Sequence, residues 1–326
     1  LSVGCSSDGK DDTSGGDVAL VANCGPGALT PCSSYLTPTA DGAGDLTTFG
    51  SYGAVMDINV GTGFEIEPEA NDTDPDFCNN FAKGFGEDPS LTEQVLDLRD
   101  TDLRLYTVFR PANWVDGEKY PVLTWGNGTC AQPGSYAALL MHAASYGFVV
   151  VAANGRFVAN GAQLTALDYA AHANEDPASP YFGRLDLTKV GAWGHSQGGG
   201  ATVAAAKDDR VLNAIVFNGG PTASKPFLAV SSDRDIGNPT PESYRAATEA
   251  APKGSFVFFH KVPETGGSLT GHLTLMMQPS RVVDAATGFW RLVFKNDAKA
   301  KALYIGSTCG LCGKDDDFEF GEHGFD

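Results

Sequence analysis

Long apolar runs, positive charge and metal-binding cysteine spacings are all scarce in this 326-residue sequence. No stretch approaches the ~18 consecutive apolar residues of a membrane-spanning helix, so the body of the chain reads as soluble. Lys and Arg number 22 against 40 Asp and Glu, a formal net charge of −18. A surface this acidic repels phosphate backbones and anionic lipid, which excludes nucleic acid as a partner. The seven cysteines are scattered and lack the doubled Cys-x-x-Cys spacing of a zinc ribbon. Only Cys309 and Cys312 have that spacing, in a Gly-rich stretch that opens no helix after a strand, unlike a thioredoxin-type redox motif. Glycine, by contrast, is abundant at 40 residues, which predicts many tight turns and close backbone approaches.

Cysteines in such a scatter point to disulfides and an oxidising compartment, secreted or at the cell surface. The odd one is Cys5. Leu1-Ser2-Val3-Gly4-Cys5 resembles the end of a bacterial lipoprotein signal peptide, in which a small residue precedes the lipidated cysteine. Ser6 to Asp17, all Ser, Gly, Asp, Lys and Thr, reads as a tether. Three segments follow from composition: residues 1–45 as tether and irregular lead-in, 46–305 as one catalytic domain, and 306–326 as a Cys-containing acidic tail. A monomer is expected. The acidic run Asp72-Thr73-Asp74-Pro75-Asp76 lacks the glycine and distal Glu of a calcium loop and reads as solvated.

Within the central segment, short apolar runs alternate with helical patterns. Ala54–Val60 and Leu103–Phe109 read as strands, the first with a period of two. Strands are then expected at Tyr120–Trp125, Phe148–Ala153, Lys189–Trp193, Asn213–Phe217, Phe227–Ser231 and Ser255–Phe259. Helices are expected at Tyr136–Tyr146, Gln163–Asn174, Gly198–Ala206 and Ser280–Asn296. Runs such as Val149-Val150-Val151 suit strands buried on both faces, so the pattern predicts an α/β fold with a mostly parallel sheet and helices on both sides.

The sharpest motif is Gly194-His195-Ser196-Gln197-Gly198, between an expected strand and an expected helix. That context makes G-x-S-x-G a nucleophile elbow, and the segment lacks the lysine of a phosphate-binding loop. A neutral serine is a poor nucleophile, so it needs a base, and the base needs a carboxylate to orient it. Of the histidines downstream, His272 lies in a Gly-rich loop between the last strand and the last helix, where a base can reach Ser196. The acid is expected after Phe227–Ser231, where Asp233 and Asp235 are both open. Oxyanion donors are expected at the amide of Gln197 and in the loop after Tyr120–Trp125, at Asn127 or Gly128. Gly128, His195 and Pro221 are expected to touch substrate.

Four segments carry a family resemblance: Ala144–Val151, Asp186–Ser196 with its following glycines, Ser232–Ile236, and Gly271-His272. Together they resemble bacterial cutinases and PET hydrolases, the polyesterase-lipase-cutinase group of α/β-hydrolases, over roughly residues 120 to 295. The resemblance implies Asp235 as the acid. It also implies hydrolysis of aliphatic or aromatic esters, polyesters included, by an acyl-enzyme route outside the cell and without a cofactor. Gln197 stands where that group has Met, Asn127 stands where it has an aromatic residue, and Asn218–Pro221 lacks the group's aromatic clamp. These departures imply a more polar acyl pocket. A lipase or acyltransferase using the same triad, and a binding module on an inactive hydrolase scaffold, are the alternatives that the sequence leaves open.

Overall fold

The computed structural model describes residues 19–20, 23–24, 31–32, 49–68, 74, 76–78, 80, 101–158, 161–260, 271–273, 279–312 and 318–325. Its strands are β1 (Ala19–Leu20), β2 (Asn23–Cys24), β3 (Pro31–Cys32), β4 (Val55–Val60), β5 (Tyr106–Arg110), β6 (Tyr120–Gly126), β7 (Val149–Ala153), β8 (Leu185–His195), β9 (Val211–Phe217), β10 (Phe227–Ser232), β11 (Gly254–Phe259) and β12 (Phe318–His323). The helices are α1 (Ala137–Ser145), α2 (Ala162–Glu175), α3 (Gln197–Ala205), α4 (Pro241–Ala250), α5 (Val283–Lys295) and α6 (Ala298–Tyr304). Apart from a β2–β3 ladder, the strands form one sheet ordered β1-β4-β5-β7-β6-β8-β9-β10-β11-β12. From β7 to β11 neighbours run parallel, and the strands added at each end are antiparallel. This is the α/β-hydrolase fold expected from the sequence.

Burial explains the composition of these elements. β6, β7, β10 and β11 are buried along their whole length, because helices cover both faces of the sheet. One face packs α1, α5 and α6 around Trp125, Trp193 and Trp290, whose rings meet edge to face at 5.1 and 5.8 Å. The other face packs α2 together with Tyr106 and Tyr169, which stack at 5.7 Å, and Tyr244 of α4 against Phe258. Among the described residues, no helix is long and apolar enough to cross a membrane.

Both terminal segments depart from their expected roles. Residues 306–326 were expected as a tail, but Phe318–His323 forms the sheet's last strand, pairing from Gly254↔His323 to Phe259↔Phe318. Its apolar residues, Phe318 and Phe320, alternate with acidic ones. They pack on Phe259 and Tyr304, so burial of one face overrides an acidic composition. At the other end, Ala19 and Leu20 leave the expected tether to pair with β4. Cys5 and most of the acidic run 72–76 lie outside the described residues.

Two helices were not anticipated. α4 begins at Pro241 with Thr240 capping the Ser243 amide, and α6 begins after Asp297, whose carboxylate accepts from Lys299 and Ala300. Among the described residues two disulfides are formed, Cys78–Cys130 and Cys309–Cys312.

Candidate active site

Every group of the expected site sits beyond the carboxyl end of a parallel strand: Ser196 after β8, Asn127 to Cys130 after β6, Asp235 after β10, and His272 after β11. Adjacent strands of an open α/β sheet bring such loops to one edge.

Ser196 links β8 directly to α3 with φ 55° and ψ −117°, a conformation that an L-residue adopts only under constraint. The constraint is visible on both sides. The Ser196 amide donates to the Phe217 carbonyl at 2.9 Å, and the Gly200 amide closes the first helical turn on the Ser196 carbonyl at 3.0 Å. A Cβ on Gly194 would collide with the carbonyl of Gly198, and one on Gly198 with the carbonyls of Gly126 and Asn127. Glycine is therefore required where the elbow crosses β6. The serine and Gln197 remain partly exposed, and Ser196 is the N-cap residue of α3.

Asp235 and His272 form a buried pair. Nδ1 of His272 donates to Oδ1 of Asp235 at 2.6 Å, which directs Nε2 away from the acid. Three further donors hold the carboxylate: Ser231 Oγ and Asn218 Nδ2 on Oδ2 at 2.6 and 2.7 Å, and the Ile236 amide on Oδ1 at 2.7 Å. Burial opposes the charge on Asp235, but His272, Ser231 and Asn218 outweigh it and hold the carboxyl below the usual carboxylate range. Asp233, the other open candidate, turns the opposite way and accepts from Nδ1 of His260 at 3.2 Å. Sequence reasoning missed Ser231 and Asn218. Their only signal was position, at the ends of the strands that flank the acid.

Two expected site residues face inward instead. His195 was assigned to substrate contact, but its side chain is buried and both ring nitrogens are engaged: Nδ1 with the Tyr136 hydroxyl at 3.0 Å, Nε2 with the His272 carbonyl at 2.8 Å. Burial, reinforced by the neighbouring His272, pushes its pKa down to about 3, so the ring is neutral. Asn127, expected as an oxyanion donor through its backbone amide, is 0% exposed. Its side chain instead anchors the loop, donating to the carbonyls of Ala153 and Gly155 and accepting from Trp125 Nε1 at 2.9 Å. Pro221 is half-buried in the loop after β9.

The loop after β6 passes directly over the nucleophile. A Cβ on Gly128 would lie 3.3 Å from the Ser196 Cβ. The Gly128 amide is already committed to the Tyr136 hydroxyl at 2.9 Å. Thr129, half-exposed, donates its hydroxyl to Oε1 of Gln197 at 3.2 Å, so these two side chains meet at the mouth of the site. Next to it, Cys130 is held three ways. Its φ is 66°, its amide donates to the Arg156 carbonyl at 2.9 Å, and its sulfur is bonded to Cys78.

A strained serine thus stands at a strand-to-helix elbow of an α/β-hydrolase fold, with a buried histidine–aspartate pair on other loops at the same sheet edge. Residues 107–235 match a family model described as PET hydrolase-like. Over that segment the chain is similar to the PET hydrolase-like family. It is also 32% identical over 142 residues to a bis(hydroxyethyl) terephthalate hydrolase of Streptomyces coelicolor, an alignment that covers 40% of this chain and 44% of the relative. The chain thus spans less than half the length of that relative.

Proposed function

We propose that the protein is a secreted serine carboxylic ester hydrolase. The observation that carries this reading is the 2.6 Å contact between His272 and Asp235 beside an elbow serine. His272 Nε2 takes the proton from Ser196 Oγ as it attacks the ester carbonyl, and Asp235 stabilises the imidazolium. The alcohol leaves with that proton, and water then releases the acid from the acyl-enzyme by the same steps in reverse. The developing oxyanion is held by the amides of Gln197 and Thr129. The Thr129 amide has no partner among the described residues, unlike that of Gly128, and the residue is half-exposed, unlike Asn127. Each such donor is worth roughly 3 kcal/mol in the transition state.

The polar Thr129–Gln197 contact at the mouth favours short esters with polar alcohol groups. Bis(hydroxyethyl) terephthalate is such an ester, and polyester chains are longer forms of the same chemistry. The disulfides support an oxidising compartment. We take Cys5 to be a lipid anchor and the active unit to be one chain, because one chain supplies every named group. Labelling with a fatty acid and light scattering check these two points.

The test is a substrate panel of p-nitrophenyl butyrate, bis(hydroxyethyl) terephthalate and polyester film, with wild type and Ser196→Ala. A fluorophosphonate should add to Ser196 in wild type, and Ser196→Ala should lose both the adduct and turnover while keeping its fold. Normal turnover by that variant would overturn the reading.

A further inference from the structure

Beside the proposed triad runs a chain of four buried hydrogen-bonding groups that the triad does not use. The Gly128 amide meets the Tyr136 hydroxyl at 2.9 Å, that hydroxyl meets His195 Nδ1 at 3.0 Å, and His195 Nε2 meets the His272 carbonyl at 2.8 Å. We propose that Tyr136 and His195 are positioning residues that tie the oxyanion loop to the loop of the catalytic base, so that donor and base address the same tetrahedral oxygen in register. The proposal rests on the serine-hydrolase reading above.

The direction of every link is determined. A carbonyl oxygen only accepts, so His195 Nε2 carries the proton toward His272. Nδ1 of a neutral imidazole is then an acceptor, and the Tyr136 hydroxyl must donate to it. The hydroxyl oxygen is left to accept from Gly128. Burial and the neighbouring His272 keep His195 neutral, with a pKa near 3, so working pH does not reverse the order. Tyr136 and His195 are each 2% exposed, so water cannot replace either partner. The endpoints matter as much as the links. One is the backbone of the residue before Thr129, whose amide is the proposed oxyanion donor. The other is the backbone of the proposed base itself. His195 precedes the nucleophile in the chain, and its ring lies 4.7 Å from that of His272.

Packing alone does not account for the hydroxyl. The Tyr136 ring already contacts Trp125 at 4.7 Å, a contact that phenylalanine would keep. Tyr136→Phe therefore removes the link and little else. At residue 195, glutamine keeps a donor near the Nε2 position but no acceptor near Nδ1, whereas asparagine keeps the acceptor and loses the donor.

The experiment measures kcat and KM on p-nitrophenyl butyrate, inhibition by phenylboronic acid, which forms a tetrahedral adduct on an active serine, and inhibition by butyrate, which does not. Tyr136→Phe should lower kcat by about tenfold or more. Its KM should stay within about twofold, with boronate affinity falling in step with kcat and butyrate affinity unchanged. In a His195→Gln background, where the Tyr136 link is already cut, adding Tyr136→Phe should cost less than about twofold more. Full kcat in Tyr136→Phe, or independent multiplicative losses in the double variant, would overturn the proposal. Should Tyr136→Phe not fold, the two His195 variants decide: both must lose kcat and boronate affinity together, and full kcat in either overturns it. Ser196→Ala separates the two levels. If that variant retains turnover, the triad reading fails. If it is inactive while Tyr136→Phe is unimpaired, only the positioning role fails.

Discussion

Asp235 and His272, 37 residues apart in the chain, meet through a single 2.6 Å hydrogen bond in a pocket where both are almost fully buried. Asp235→Asn should preserve the packing but present the wrong hydrogen-bonding partner, favouring the His272 tautomer that cannot take the serine proton. We expect kcat to fall by about 10³- to 10⁴-fold with KM little changed, read from steady-state kinetics on p-nitrophenyl butyrate.

The same carboxylate sets a pH dependence of stability. Its folded pKa lies below the ordinary value, so its contribution is present above the unfolded pKa and is lost as pH falls through the folded one. Urea midpoints should therefore decline on the acid side of the usual carboxylate range, and Asp235→Asn should flatten that decline. An unchanged acid limb in the variant would count against the linkage.

Lys295 gives a slope of the same sign, in the alkaline range. Its ammonium donates to the Tyr146 carbonyl at 2.7 Å and lies 4.9 Å from the Phe148 ring centroid, and burial pushes its pKa from 10.5 down to about 8. Between those two values the unfolded chain binds more protons than the folded one, so stability contributed by this group rises with pH from about 8 toward 10.5. Lys295→Met should remove that rise, measured by denaturant unfolding at pH values across the window.

Two glycines of α3 should respond in opposite ways. A Cβ at residue 198 meets backbone carbonyls of β6 and its loop, which have no room to give, so Gly198→Ala should abolish activity and soluble expression. A Cβ at residue 200 meets nothing within 4 Å on an exposed helical face. Gly200→Ala should keep activity and gain about 0.5–1 kcal/mol from helix propensity, seen as a higher thermal midpoint.

The Cys78–Cys130 disulfide closes a 52-residue separation and ends beside Thr129. Replacing both cysteines with alanine should cost about 2–4 kcal/mol of stability. Turnover at a temperature where the variant is still folded should also fall, because Cys130 then keeps only its amide bond to Arg156. Dithiothreitol should reproduce both effects in wild type and neither in the double variant.

Much of this molecule was legible in its sequence, and the reason is local. An elbow serine needs glycines within two residues of it, and strands buried on both faces need continuous apolar runs, so Gly194–Gly198 and runs such as Val149–Ala153 announce themselves. The order of strands, helices and loops followed, and with it the loops that carry Asp235 and His272. The acidic, polar elements did not: β12 and α4 take their shape from what they cover, and their composition resembles that of loops.

Which way each polar group faces depended on neighbours far away in the chain. The sequence alone distinguishes Ser196 as the nucleophile candidate and presents Asp233 and Asp235 as equals until a family pattern is invoked. Tertiary structure separates them, because only Asp235 lies where Ser231, Asn218 and His272 can all donate to it. It also turns His195 and Asn127 inward, since each finds buried partners from segments up to 77 residues away. A motif records the steric demands of a turn on its own residues, whereas a hydrogen bond is assigned only when the chain has folded and brought its two ends together.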